Sequence, residues 1–167
     1  MIVLGEFNAG EIYARTEREV DDLIDHVMND LLQGGVTSDG FEVIPERAVI
    51  SIVEGRYPEE TDERWSGNFL YVSVNIKHGY GALKWWTRRV PEGAPEDDVT
   101  RFVWTSGNPN PPSFEPGLIA DPGDPRYYPR EAAIPVAQVR AALEEFCRSR
   151  TGGRPECVPW LLLDQSV

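Results

Sequence analysis

The chain has 167 residues, of which 28 are acidic and 16 basic, giving a formal net charge of −12 at pH 7. This length suits one domain over residues 1–167, and five Trp, six Tyr and six Phe supply bulky core side chains. So large a negative excess argues against direct binding to nucleic acid or to an anionic membrane. The negative charge would suit binding to a basic protein partner. The alternative is that it only keeps the protein soluble.

The cysteines and histidines do not suggest a metal site. Cys147 and Cys157 form no CxxC pair, and His26 and His78 are far apart in sequence, so we expect no metal and no cofactor. A Cys147–Cys157 disulfide would need an oxidising compartment. The first residues lack the basic and apolar regions of a signal peptide, and no run approaches the roughly 20 apolar residues of a membrane span. We therefore expect a cytoplasmic location.

The N-terminal region predicts a strand over residues 10–15 and then an amphipathic helix. Thr16 and Glu19 have the spacing of a capping box, in which each side chain accepts a hydrogen bond from the other residue's amide. Gly34 and Gly35 should end the helix. The apolar residues with helical spacing are Val20, Leu23, Ile24, Val27, Met28 and Leu31.

The middle of the chain is rich in predicted strands. They cover residues 48–53, 69–76, 82–87 and 101–105, with a turn at 77–81. The short spacing between them favours an antiparallel meander over parallel βαβ units. In the second strand, one face carries Leu70, Val72, Val74 and Ile76.

Residues 106–129 contain seven of the fourteen prolines of the chain. Because proline lacks an amide hydrogen and fixes φ, we expect no regular element there but a long surface loop. Loops of this length are usually functional or partly disordered. The residues expected to hold it against the body are Phe114, Leu118, Ile119, Tyr127 and Tyr128.

A second amphipathic helix and a final strand are predicted at the end of the chain. Pro135 is expected at the first helical position, where its missing amide hydrogen costs nothing. Gly152 or Gly153 would supply the left-handed residue that caps the helix, and residues 157–163 are an apolar run of strand length. The expected fold is α+β: an antiparallel meander packed against an N-terminal and a C-terminal helix. The buried stripe of the second helix is Val136, Val139, Leu143, Phe146 and Cys147.

The candidate binding residues lie in predicted loops. Loops at the rim of a sheet can converge, and a joint acidic face could occupy a basic, nucleic-acid-binding cleft; scattered solvated charge is the alternative. Trp65 is a loop aromatic and a hot-spot candidate if exposed. Trp85 and Trp86 must point to opposite faces of one strand. We expect one in the core, and the other either covered by a helix or exposed as a further hot-spot candidate. The three acidic clusters are Glu59, Glu60, Asp62 and Glu63; Glu92, Glu96, Asp97 and Asp98; and Asp121 with Asp124.

No catalytic signature accompanies these residues. Ser, His and Asp occur without a framing motif, and no carboxylate spacing singles out a general acid and base. Gly79-Tyr80-Gly81 is only a fragment of a phosphate-binding fingerprint. We therefore expect no enzymatic activity. The alternative is a small ligand-binding or enzymatic α+β domain with a pocket near His78, which lies in a glycine-flanked turn.

Three stretches, in this order, resemble the Imm1 family of bacterial immunity proteins, which protect cells from polymorphic toxins. They are residues 16–25, residues 79–85, and residues 134–146 followed by the Gly153-Arg154-Pro155 motif, Val158 and Trp160. The third stretch is the most specific. The proline-rich loop departs from the family, in which this connection is usually shorter.

The resemblance implies an α+β fold, no enzymatic activity and a cognate toxin as partner, often a nucleic-acid deaminase or another toxin that acts on nucleic acid. Such a toxin presents positive charge to its substrate, and an acidic protein could occlude its active site or substrate groove. Toxin identity and oligomeric state stay open. The family's motif residues are most simply structural, and they are Gly81, Pro135, Arg154, Pro155 and Trp160.

Overall fold

The computed structural model describes residues 1–55 and 67–163. Two α-helices, α1 (Glu17–Asn29) and α2 (Val136–Ser149), accompany the strands, and two short 3₁₀ turns span Val99–Arg101 and Arg130–Ala132. The strands are β1 (Ile2–Phe7), β2 (Gly10–Ala14), β3 (Gly35–Val36), β4 (Glu42–Val43), β5 (Ala48–Val53), β6 (Asn68–Asn75), β7 (Tyr80–Thr87), β8 (Trp104–Ser106), β9 (Ile119–Asp121), β10 (Arg126–Tyr127), β11 (Ile134–Pro135) and β12 (Trp160–Leu162).

The main sheet has eight strands in the order β12-β8-β7-β6-β5-β1-β2, with β11 also paired to β7. Every ladder in it is antiparallel. Because β5, β6, β7 and β8 are neighbours in chain order, the predicted meander and the α+β fold are confirmed. The strand β1 was not predicted, although it lies between β5 and β2.

Both helices pack on one face of the sheet and form the main core. Leu70, Val72 and Val74 of β6 meet Trp85 of β7 there, as the alternation predicted. Ile76 lies beyond the end of β6 and is 48% exposed, so its assignment to this face was wrong. Most of the predicted helical stripes are confirmed: α1 buries Val20, Leu23, Ile24, Val27 and Met28, and α2 buries Val139, Leu143, Phe146 and Cys147, together with Ala142, which was not predicted. Leu31 is buried but lies past the end of α1, and Val136 is only partly buried.

The proline-rich segment covers part of the opposite face. Its Leu118 and Tyr128 pack with Ala82 of β7 in a second apolar cluster. The expectation of no regular element was wrong, because β9 and β10 pair within it and Pro122 and Pro125 fall in the turn between them. Phe114 and Tyr127 remain 44% and 43% exposed, whereas Leu118, Ile119 and Tyr128 are buried.

The helix ends differ from their predictions at three points. The capping box of α1 is present, but the helix ends at Asn29, ahead of Gly34. Pro135 is the residue before α2 and not its first helical residue, because its backbone is extended and pairs with β7. Arg150, at φ 54°, takes the left-handed cap position predicted for Gly152 or Gly153.

Two predicted strands shift or shorten. The run 101–105 contains the end of a 3₁₀ turn, and β8 begins only at Trp104. The run 157–163 pairs only as β12, over Trp160–Leu162. Trp85 is 2% exposed and lies in the main core, whereas its neighbour Trp86 lies on the opposite face, as predicted.

Candidate functional site

The acidic residues Glu92, Glu96 and Asp97 lie exposed on the connection between β7 and β8. Asp98 differs from them, because its carboxylate accepts hydrogen bonds from the hydroxyl and the amide of Thr100 and caps the 3₁₀ turn. These bonds lower its pKa. This connection therefore offers three solvated carboxylates for contact and a fourth with a structural role.

The second described acidic cluster is largely occupied by local partners. Asp121 accepts from the amide of Gly123 at 3.0 Å and pairs with Arg126 at 3.4 Å, and these contacts help to lower its pKa. Asp124 also pairs with Arg126, at 3.6 Å. No hydrogen bond or ion pair of the described residues joins this hairpin to the Glu92–Asp98 connection.

The third acidic cluster lies outside the described residues. It comprises Glu59, Glu60, Asp62 and Glu63, and Trp65 lies outside them as well. Convergence of the three predicted clusters on one face therefore remains a prediction.

The acidic surface of α1 is partly neutralised by arginines of α2. Arg148 donates to Asp21 at 2.8 Å, and Arg140 binds Asp25 in the same way. Since such exposed pairs are worth at most about 1 kcal/mol each, they orient the two helices more than they stabilise them.

Basic side chains gather on the sheet face opposite the helices. Arg47 and Lys84 lie 4.4 Å and 4.6 Å from the ring centre of Tyr71, and Arg88 lies over Phe69 and Trp86. Burial, together with the charge of Arg47, lowers the pKa of Lys84. The negative charge of the chain is therefore unevenly distributed, and this face is a poor match for a basic partner.

A cleft of about 420 Å³ opens beside His78. Three segments form its walls: the β3–β4 hairpin, the end of β6 with the following turn, and the proline-rich segment around Pro116. The His78 Nδ1 atom lies 3.2 Å from the carbonyl oxygen of Pro116, to which the Asn75 side chain donates at 2.6 Å. Phe114 packs edge-on against the imidazole at 5.1 Å.

The polar lining of the cleft is acidic. Glu42 of β4 and Glu115 of the proline-rich segment are both exposed, and none of the described lining residues is arginine or lysine. The floor is apolar, because Pro45, Val74 and Pro116 are buried. Burial and the nearby charge of Glu42 raise the pKa of Tyr127, which lines the same cleft.

The remaining reactive groups form no obvious centre. In the described ranges 1–55 and 67–163, no three His, Cys, Asp or Glu side chains gather as a metal site, and no helix is long and apolar enough to cross a membrane. Cys147 and Cys157 are free thiols, the first buried and the second exposed. Burial raises the pKa of the Cys147 thiol to about 12, and partial desolvation together with the nearby Glu145 carboxylate raises that of Cys157 to about 11, so both thiols are protonated at neutral pH.

Comparison with known protein families settles the membership of the chain. The model of the family described as immunity protein Imm1 matches residues 8–162, nearly the whole chain. The chain belongs to the Imm1 family. No curated protein and no solved structure shows significant similarity to it. Membership supports an immunity role, which implies a cognate toxin as partner.

Gly81 and Arg154, which the resemblance to Imm1 proteins singled out, make close packing contacts in this structure. A Cβ atom on Gly81 would lie 2.7 Å from the Ser73 carbonyl oxygen and from Val139 of α2. The Arg154 guanidinium lies 4.4 Å from the ring centre of Trp104 and 5.8 Å from that of Trp160. These contacts give both motif residues a structural role.

Pro155 and Trp160 fix the end of the Imm1 chain in the sheet. The Trp160 indole donates to the Pro155 carbonyl oxygen at 2.6 Å, and Trp160 pairs with Ser106 as the first residue of β12. Glu145 of α2 accepts from the amides of Glu156 and Cys157, so the same connection is also fastened to the helix. The last strand is thereby positioned from two sides.

Several residues around the cleft of this Imm1 protein were missed by sequence reasoning. Val36 and Phe41, on the β3–β4 hairpin, are 72% and 71% exposed. Glu42 and Glu115 belong to none of the predicted acidic clusters. The one local signal is Phe41 itself, a large apolar residue directly after the polar turn Ser38-Asp39-Gly40.

Proposed function

We propose that this protein binds a cognate toxin directly in the cytoplasm and neutralises it without catalysis of its own. Membership of the Imm1 family over residues 8–162 is the observation that carries the proposal. The described structure supports it in a second way, because its most prominent groups are solvated carboxylates and exposed apolar side chains. Such groups suit recognition of another protein.

The toxin is one that acts on nucleic acid, with a deaminase as the leading class. A protein that handles DNA or RNA presents positive charge to the phosphate backbone. A partner with a net charge of −12 is attracted to that surface and can occupy it in place of the substrate. Inhibition then follows from occlusion of the active site or of the substrate groove.

Glu92, Glu96 and Asp97 are the best placed of the predicted acidic residues to make that contact. They are exposed, and no hydrogen bond or ion pair with the described residues occupies their carboxylates. Asp98, Asp121 and Asp124 hold local structure, so their removal would mix folding effects with binding effects. Contact by Glu59, Glu60, Asp62, Glu63 and Trp65 remains part of the same proposal.

A co-expression experiment with the toxin-like product of the adjacent gene tests the function. We expect a one-to-one complex on co-purification and restored growth of cells that express the toxin. The control is co-expression with an unrelated acidic protein of similar size, which should give neither result. Absence of both complex and rescue would reject immunity against that toxin.

The cleft beside His78 supports a second candidate, a small ligand-binding or enzymatic domain. Its volume of about 420 Å³ is within the usual range of small-molecule sites, about 300–1,000 Å³. If this candidate were correct in its catalytic form, a His78→Ala variant would lose biological activity while its thermal stability changed little. Full toxin rescue by this variant would reject it.

A further inference from the structure

Exposed apolar side chains lie on the two segments that flank the cleft, and only Phe114 of them stacks on other rings, those of His78 and Tyr80. Val36 and Phe41 are 72% and 71% exposed on a hairpin whose two strands have only two residues each. Phe114 and Tyr127, on the facing segment, are 44% and 43% exposed. Val36 and Tyr127 line the cleft, and Phe41 and Phe114 adjoin its lining residues in the chain, so the two flanking segments together expose apolar surface of the kind used in protein–protein contact.

The interior of the cleft combines two chemical environments that suit a long basic side chain. Its floor of Pro45, Val74 and Pro116 can cover the methylene groups of an arginine or lysine. Glu115 and Glu42 provide exposed carboxylates for the charged head, although Glu42 also interacts with the Tyr127 hydroxyl, and no arginine or lysine is among the described lining residues. A neutral donor would gain only a hydrogen bond from these two carboxylates, and an acidic group would be repelled by them.

We propose that this cleft receives an arginine or lysine side chain from a protruding segment of the cognate toxin, while Val36, Phe41, Phe114 and Tyr127 pack against the apolar residues around it. The inference rests on the proposed immunity function and assigns a contact surface to it. The partner is identified by complementarity: a basic, amphipathic side chain for an acidic cleft with an apolar floor. The surface is distinct from the predicted Glu92–Asp98 loop.

The binding test compares two pairs of substitutions against the toxin encoded beside this chain. The cleft variant is Glu42→Gln with Glu115→Gln, which removes charge with little change of shape. The matched control is Glu11→Gln with Glu54→Gln, two exposed acids that do not line the cleft. We expect the cleft variant to weaken toxin binding at least about tenfold and the control less than about twofold.

Failure of this inference is separable from failure of the immunity function. If wild-type protein binds the toxin and the cleft variant binds equally well, the cleft is not the contact surface but immunity stands. An equal loss in both variants would assign the effect to total charge and would also overturn the inference. If a Phe41→Ser variant binds the toxin as tightly as the wild type does, the proposed apolar contact at Phe41 is rejected.

A peptide titration tests the cleft if the chosen toxin does not bind at all. The probes are the tripeptides Gly-Arg-Gly and Gly-Gln-Gly, followed by NMR of ¹⁵N-labelled protein. We expect the arginine peptide alone to shift the backbone amides of Gly34, Gly35 and Gly117, which line the cleft. No shift, or equal shifts with both peptides, would overturn recognition of a basic side chain.

Discussion

At the scale of single residues, Gly81 shows how closely α2 approaches the sheet. A Cβ atom there would lie 2.7 Å from the Ser73 carbonyl oxygen in the paired strand β6 and 2.7 Å from the fully buried Val139. Neither neighbour can move without disturbing the core. We therefore expect Gly81→Ala to lower the free energy of unfolding by about 1–3 kcal/mol, measured by urea denaturation.

Gly35→Ala is the control for this substitution. An added Cβ at Gly35 would meet nothing within 4 Å, and this glycine does not have a positive φ. Its effect on the free energy of unfolding should stay within about 0.5 kcal/mol, as for most surface substitutions. Equal effects of the two substitutions would contradict the close approach of α2 to β7.

Arg150 illustrates a residue whose role only the tertiary structure reveals. Its left-handed backbone would favour glycine, and the sequence accordingly predicted a glycine cap two or three residues later. The guanidinium donates to the carbonyl oxygens of Met1 and Arg15 and pairs with Glu17. These partners lie more than a hundred residues earlier in the chain, so no local pattern could indicate them.

At the scale of elements, Glu145 makes the attachment of β12 to α2 sensitive to pH. Burial opposes ionisation of its carboxyl group, but hydrogen bonds from the amides of Glu156 and Cys157 outweigh it and lower the pKa. A lowered folded-state pKa stabilises the protein above the unfolded-state pKa, and this contribution is lost as the pH falls through the folded-state pKa.

We accordingly expect Glu145→Gln to destabilise the protein at pH 7 by about 1 kcal/mol, and by progressively less as the pH falls through the lowered pKa of the wild-type carboxyl, which then becomes protonated too. Thermal unfolding across this pH range measures the difference. Glu144→Gln is the control, since Glu144 makes only a 3.7 Å pair with Arg140. A Glu145→Gln effect that does not shrink on acidification would contradict the ionised hydrogen bonds.

The elements that the sequence predicted well are those with a long periodic pattern. The helices α1 and α2 and the strands β5, β6 and β7 each carry enough apolar residues for the helical or the strand spacing to be recognised in the sequence. The strands β3, β4, β9 and β10 have two or three residues, which is too few to show alternation. Their pairing depends on turns and distant contacts, such as the Arg47 side chain donating to the Ala120 carbonyl oxygen at 2.5 Å.

At the scale of the whole molecule, the composition determines the sign of the net charge but not how the charge is distributed over the surface. The net charge of −12 is a property of the sequence, whereas the ion pairs of α1 and the cations around Tyr71 arise from folding. A pocket near His78 was predicted only as the alternative, from that turn residue and the length of the proline-rich segment. Its third wall, the β3–β4 hairpin, escaped prediction because it lies far from both in the chain.

Charge reversal can separate attraction by the whole molecule from contact by one loop. Glu96→Lys with Asp97→Lys changes the net charge from −12 to −8, as does Asp22→Lys with Glu54→Lys at exposed sites elsewhere. If the overall field steers association, both variants should slow binding of the toxin by a similar factor, about two- to tenfold at low salt. Added salt should reduce this slowing of association, relative to wild type, in both variants.

Dissociation then distinguishes the two variants, because it depends on contacts made within the complex. If the Glu92–Asp98 loop touches the toxin, Glu96→Lys with Asp97→Lys should also dissociate faster, whereas Asp22→Lys with Glu54→Lys should leave the dissociation rate unchanged. Surface plasmon resonance at two salt concentrations measures both rates. Equal dissociation rates in the two variants would remove this loop from the interface, and the acidic charge would then act only through the long-range field that brings the two proteins together.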